Sequence, residues 1–215
     1  RSAYPESPGA AMACAIEVFN TKLWGTFYIS PFGIDTIDWS GSRPHESTIL
    51  AIMAAFDGTR VTLDNGSTID LNAGNYHYLS NVKEGDKVTS SRPIQVDLLS
   101  GDIGAAWETR WEALVPADKW YSEYYSPVGE TKGTTGFYFR NENSVPITIS
   151  YSGGNVQSGT FVVNPGTTVY NAVGLVSDPY LIKVLDGLNN GLDRGIKTPT
   201  TRYTGLFFKS TPNLP

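Results

Sequence analysis

Arg60-Val61-Thr62-Leu63-Asp64-Asn65-Gly66-Ser67-Thr68-Ile69-Asp70-Leu71 reads as two short β-runs joined by a turn. Val61, Leu63, Ile69 and Leu71 alternate with polar residues, which is the period of a half-buried strand. Asn65-Gly66 falls between them. That pair tolerates the positive φ angles of a tight hairpin turn. Asn65-Gly66-Ser67 also fits the N-glycosylation pattern, so Asn65 is a candidate acceptor in a glycosylating secretory pathway.

Outward from the hairpin, the chain states a longer pattern twice. Ile49 to Gly101 gives a β-run, the hairpin, Asn72-Ala73-Gly74 followed by an aromatic, and then Ser90 to Gly101. Phe137 to Gly187 gives Ile147-Thr148-Ile149, a Gly153-Gly154 turn, Asn164-Pro165-Gly166 followed by Tyr170, and then Ser177 to Gly187. The Ser-x-Pro segments match at an offset of 86 residues, about the size of one small β-domain. The expected fold is all-β, with two tandem sandwich-like units related by internal duplication. The small polar run Gly129 to Gly136 is the best linker, which sets domains at 1–132 and 133–215.

Composition agrees with a β protein. Gly, Pro and Tyr are abundant, and Val and Thr are frequent. Charged residues are only 17%, so the chain is globular and lightly charged. A net charge of -5 argues against nucleic acid or an anionic membrane as partner. No apolar run is long enough for membrane insertion. Arg1-Ser2-Ala3-Tyr4-Pro5 is not a signal peptide; a processed mature chain and an excised fragment would both start this way.

Further strands are expected at Ala11–Phe19, Leu23–Ser30, Ile34–Trp39, Thr48–Phe56, Tyr76–Leu79 and Ile94–Leu99. Trp107, Trp111 and Leu114 have helical spacing, which predicts a short helix ended by Pro116. The second unit supplies strands at Phe137–Phe139, Ile147–Tyr151, Thr160–Val163, Tyr180–Leu185 and Tyr203–Lys209.

Reactive side chains are scarce. His77 lies on a predicted strand, and His45 sits in a solvent-like loop, Ser42 to Glu46. No paired-Cys or paired-His spacing suggests zinc, and neither a phosphate loop nor a nucleophile elbow is present. No catalytic residue, metal or cofactor is expected, and the chain is not expected to be an enzyme. Cys14 is alone, so an internal disulfide is impossible; it reads as a small buried apolar residue or as an intermolecular link. Asp35, Asp38, Asp97, Asp102, Glu108 and Glu112 are the carboxylates from which a glycosidase pair would be drawn. Asp97 interrupts Val96-Asp97-Leu98-Leu99, which alternation explains as an outward position. Trp107, Trp111, Trp120 and Tyr121 form an aromatic interface that fills a core, joins copies or stacks on sugars.

The segment Ala51 to Val128 carries Gly58-Thr59, Val61-Thr62, Asn72-Ala73-Gly74, and Val88-Thr89-Ser90-Ser91-Arg92-Pro93-Ile94-Gln95-Val96. Gly101, Leu114-Val115-Pro116, Trp120 and a tyrosine pair follow. This order resembles the IgG-Fc-binding-protein N-terminal-like domain family. The chain lacks that family's cysteines and further domains. The resemblance implies an extracellular, non-enzymatic module of a surface protein and carries over no binding residues.

The leading expectation is a cell-surface protein that self-assembles into a sheath, layer or filament, its partners being copies of itself. Met12, Cys14, Ile16 and Val18 share one face of the Ala11–Phe19 strand, which would complete a neighbour's sheet. The alternatives are a monomeric adhesin or glycan-binding module using Trp107 to Tyr125, with glycans or other surface proteins as partners, and a β-sandwich glycoside hydrolase or lyase.

Overall fold

Alternation of Val88, Ile94, Val96 and Leu98 with polar neighbours produces a 15-residue strand, Lys87–Gly101, around which the first unit is built. The computed structural model describes residues 18–37, 45–101, 110–120, 123–126, 134–153, 157–174, 180–184 and 203–208. The chain divides into two compact units, Arg1–Asp118 and Lys119–Pro215. The boundary expected at 132/133 lies outside the described residues.

In the first unit the strands are β1 (Gly25–Ile29), β2 (Ser47–Ala54), β3 (Thr59–Leu63), β4 (Thr68–Leu71), β5 (Tyr76–Ser80), β6 (Lys87–Gly101) and β7 (Arg110–Ala113). All belong to one sheet, with β4-β3-β6-β2-β5 as its main path. The first half of β6 pairs with β3 and β1, and its second half pairs with β2 and β7. One long strand therefore serves two neighbouring sets of partners. The exchange of partners falls at Ser90–Pro93. Gly25 pairs with Ile94 but Phe27 pairs with Thr89, so these four residues bulge from the ladder with β1. Pro93 has no N–H to donate, which suits a bulge and excludes a regular central ladder.

The bulge satisfies its polar groups locally. Ser90 Oγ donates to the Arg92 carbonyl at 2.7 Å, and Ser91 Oγ accepts from Arg60 N at 2.9 Å. Tyr28 closes the gap from β1. Its buried hydroxyl accepts from Gly25 N at 2.9 Å and donates to the Ile94 carbonyl at 2.5 Å. Burial, above all, pushes this phenol well above the ordinary tyrosine range. The core beneath holds Phe32, Leu50, Ile52, Val61, Ile94, Val96 and Leu98.

The hairpin forms where expected, with Gly66 N bonded to the Leu63 carbonyl at 2.9 Å. Gly66 alone takes the positive φ, at 81°, while Asn65 stays in the ordinary region. Other expectations are corrected. Residues 110–113 are strand β7, not part of a helix: Trp111 pairs with Leu99, and the ladder to β6 overrides helical spacing. Thr21–Leu23 is a 3₁₀ turn capped by Asn20, so β1 starts only at Gly25. Residues 34 and 35 form a turn closed by Thr36 N on the Gly33 carbonyl, and Ile34 N bonds the Val82 carbonyl. Residues 11–17 lie outside the described chain, and Val18 and Phe19 are not in a strand.

The second unit has β8 (Glu123–Ser126), β9 (Thr134–Asn141), β10 (Ile147–Gly153), β11 (Gln157–Val163), β12 (Thr168–Gly174), β13 (Tyr180–Val184) and β14 (Tyr203–Phe208). They form two sheets, β11-β10-β13-β8 and β12-β9-β14. Phe139 of β9 meets Phe161 of β11 edge-on at 4.7 Å, joining the sheets. Buried Asn141 donates from Nδ2 to the Val145 and Val163 carbonyls.

Three antiparallel ladders recur in the two units: β2–β5 and β9–β12, β3–β4 and β10–β11, β3–β6 and β10–β13. The turns correspond as well. Gly74 N bonds the Ala54 carbonyl at 2.9 Å, and Gly166 N bonds the Asn141 carbonyl at 2.8 Å. The units differ elsewhere, since β9 carries the parallel strand β14 and β6 joins what β13 leaves separate. The Ser-x-Pro landmarks also fall out of register. β3 pairs with residues before Pro93, whereas β10 pairs with residues after Pro179.

Replacing Tyr28 by Phe keeps the ring but strands Gly25 N and the Ile94 carbonyl at the bulge. Urea unfolding should show a loss of roughly 1–3 kcal/mol. An unchanged midpoint would mean that Tyr28 is not what closes the corner.

Candidate functional site

Strand register places a mixed aromatic and polar surface on one face of β5-β2-β6-β7. Cross-strand partners share a face, and alternate residues continue it. Tyr78, Ala51, Asp97 and Ala113 form one row across the four strands. Tyr76, Met53 and Gln95 form the row beside it. The row on the other side, Ser80, Ile49, Leu99 and Trp111, is mostly covered, with Ile49 and Leu99 buried. Away from it the face opens. Met53, Tyr76 and Tyr78 are 42%, 60% and 50% exposed, high values for residues of this size. The two tyrosine rings lie 5.1 Å apart with their planes tilted by 53°.

Asp97 stands where the covered and open parts meet, and it is half-buried. Trp111 Nε1 donates to Oδ2 at 3.0 Å, and Gln95 Nε2 donates to Oδ1 at 2.8 Å. Burial pushes its carboxyl above the usual carboxylate range, and the bonds from Gln95 and Trp111 oppose that shift only in part. Ala51, half-buried between Tyr78 and Asp97, presents only a methyl group. It forms the floor of a shallow trough with an aromatic wall and an acidic wall. Adjacent strands lie about 4.8 Å apart, so the walls stand about 10 Å apart at the backbone.

The residues singled out from the sequence fall in several places. Met12, Cys14, Ile16, Trp107 and Tyr121 lie outside the described residues, as do Asp38, Asp102 and Glu108. Val18 is 87% exposed. Trp111 reaches the face through its indole N–H, but Trp120 is buried and presents no surface. Asn65 is exposed at the hairpin, where its Oδ1 accepts from Ser67 N and Ser67 Oγ. Asp35 accepts from Glu84 N. Glu112 is buried and pairs with Leu98, which puts it on the face opposite Asp97. Among the described residues, no group of His, Cys, Asp and Glu side chains is arranged to hold a metal. His45 is not in a solvent-like loop. It is fully buried, its ring stacks on Phe32 at 4.1 Å, and its Nδ1 lies 2.5 Å from Ser100 Oγ. Stacking and a polar partner make burial of the imidazole tolerable. Tyr76 and Tyr78 went unnoticed as site residues, although their spacing across His77 marks one strand face.

The short motifs along the first unit serve its corners. Gly58 N donates to Asn72 Oδ1 at 3.2 Å, and Ala73 N donates to Asp57 Oδ1 at 3.0 Å, so two turns clasp each other. Gly58 and Gly74 both take positive φ. Ser90-Ser91-Arg92-Pro93 forms the β6 bulge. Leu114 is buried and its N–H bonds the Val96 carbonyl, while Pro116 stands where a side chain on Gly25 would have to go.

The family described as IgGFc binding protein matches residues 13–153, most of the chain, and the chain belongs to that family. Membership places it among extracellular binding or surface-protein domains. The match runs beyond 51–128 at both ends. No curated protein and no solved structure gave a match. Among the described residues, no helix is long and apolar enough to cross a membrane.

The elevated Asp97 carboxyl has a stability consequence. The folded chain holds this proton more tightly than the unfolded chain, whose ordinary value is 3.8. The contribution is fully present below pH 3.8. It falls as pH rises through the window up to the raised folded value, and stays lost above it. Asp97→Asn removes the titration. Its stability relative to the parent should therefore climb with pH across that window and then level off, as read from urea midpoints. A difference independent of pH would contradict the assignment.

Proposed function

We propose that this chain is a binding module of an extracellular surface protein that docks its partner on the open face of β5-β2-β6, without catalysis. The observation that carries this is the exposed group Met53, Tyr76 and Tyr78 beside half-buried Asp97. Large aromatics left in water beside a desolvated polar group favour recognition, because covering them recovers apolar burial while the polar group sets orientation. Family membership supports an extracellular setting and does not by itself assign immunoglobulin as the ligand. The three shared ladders and the matching turns support an origin of the two units by duplication. In a glycosylating pathway, a glycan on Asn65 would project from the β3–β4 turn.

Self-assembly is the second reading, and β5 favours it. Among the described residues β5 pairs with β2 alone, so its other edge has backbone groups to offer a second copy. In a sheath or filament the donor would be the strand carrying Met12, Cys14, Ile16 and Val18. Deleting residues 1–19 should then abolish polymers in electron micrographs, and normal polymers from the truncated chain would remove that donor.

The face itself is tested with labelled chain applied to native cell-surface material. Replacing Tyr76 and Tyr78 together by Ala should weaken retention at least roughly tenfold, about 1.4 kcal/mol. Val162→Ala, at an exposed position in the second unit, should leave retention unchanged. Equal retention of all three proteins would reject the face.

A further inference from the structure

We propose that the occupant of this face is an uncharged glycan, held in the trough between Tyr78 and Asp97; the inference rests on the face being the binding surface. Three features select this chemistry. The first is the kind of contact offered. The Tyr76 and Tyr78 rings present apolar π-faces in water, against which the C–H face of a sugar ring packs. Across the trough, Asp97 accepts one hydrogen bond on each oxygen. An ionised carboxylate has room for about four, so acceptor capacity remains for hydroxyl donors. A sugar, apolar on one face and rich in O–H donors at its edge, complements an aromatic wall facing an acceptor wall.

The second feature is size. A stable protein–protein interface takes about 20–30 residues from each side. The open group here consists of Ala51, Met53, Tyr76, Tyr78, Gln95 and Asp97. Its core is one small residue with walls about 10 Å apart, on the scale of a sugar ring and narrow for a packed protein element.

The third feature is charge. None of these residues is cationic, and Asp97 is acidic. A sulfated, sialylated or uronic acid chain would bring its anions to six residues that offer no compensating charge, in a molecule of net charge -5. The indole N–H and the amide hold Asp97 in place before any ligand arrives, so little side-chain order has to be created on binding.

The test uses the full chain in titration calorimetry. The probes are neutral hexasaccharides of β-linked glucose, β-linked N-acetylglucosamine and α-linked mannose, with sulfated and sialylated oligosaccharides alongside. At least one neutral probe should bind. Tyr78→Ala should weaken it roughly tenfold, while Tyr78→Phe, which keeps the ring, should change it little. Ala51→Leu removes no contact but fills the trough floor, and should weaken binding as much as Tyr78→Ala. Unaltered urea midpoints show that each variant is folded; if Ala51→Leu does not fold, Ala51→Val replaces it. No binding of any neutral probe at millimolar concentration, or binding of the anionic probes alone, would overturn the proposal. If retention on native surfaces still depends on Tyr76 and Tyr78 in that case, the face stands and only the glycan fails. If retention is also indifferent to both tyrosines, the face fails with it.

Discussion

Pro93 is the constraint around which the first unit is organised. A proline inside a long strand removes a donor from the ladder and fixes its own φ. The cost is small only where the ladder is already interrupted. β6 meets this condition by changing neighbours there, since β3 ends opposite Ser90 and β2 begins opposite Ile94. The four-residue bulge against β1 absorbs the mismatch, and the Tyr28 hydroxyl satisfies backbone groups of both strands at its Ile94 end. A single strand can thus serve two sets of neighbours, and the sheet curls over one core without a free edge at its centre.

The open face follows from that geometry. Beyond the corner, β6 presents Gln95 and Asp97 outward while Val96 and Leu98 point into the core. β2 and β5 extend the same surface in register, held at their far end by Gly74 N on the Ala54 carbonyl. The face is therefore built on strands and fixed by their pairing, which suits the recognition role proposed for it. Asp97 illustrates the balance. Its burial is unfavourable to the charged form, and two donors aimed at it offset part of that cost.

Much of the fold was legible because it rests on local rules. Asn65-Gly66 marks its hairpin, and alternation marks β3, β4, β5 and the Ile94–Leu99 part of β6. The bulge was not legible. The sequence places a strand only at Ile94–Leu99, and only the pairing shows that residues 87–101 are one strand whose residues 90–93 leave the ladder with β1. Spacing alone misassigned Trp111 to a helix, because periodicity over three residues weighs less than a ladder to a core strand. His45 misled for a similar reason. Its polar neighbours in sequence suggested solvent, while its neighbours in space are Phe32 and Ser100. Of the face, Asp97 was visible as an outward carboxylate. Tyr76 and Tyr78 were visible as strand residues but not as surface, since an aromatic is more often buried and only the structure shows which side of the sheet is covered.

The motifs that carry the sequence resemblance and the residues that form the open face are different sets. Gly58, Asn72, Gly74 and Ser90 to Pro93 hold turns and the corner through backbone geometry and short hydrogen bonds. They are needed whatever the domain binds. Met53, Tyr76 and Tyr78 contribute little to that framework, because exposed side chains can change at small cost to folding. A shared scaffold does not by itself determine what such a face binds. Specificity should follow the identity of the residue at position 51 and the aromatics at 76 and 78. On the proposed reading those positions set the trough and what its walls offer, while the corner at Pro93 only brings their strands side by side.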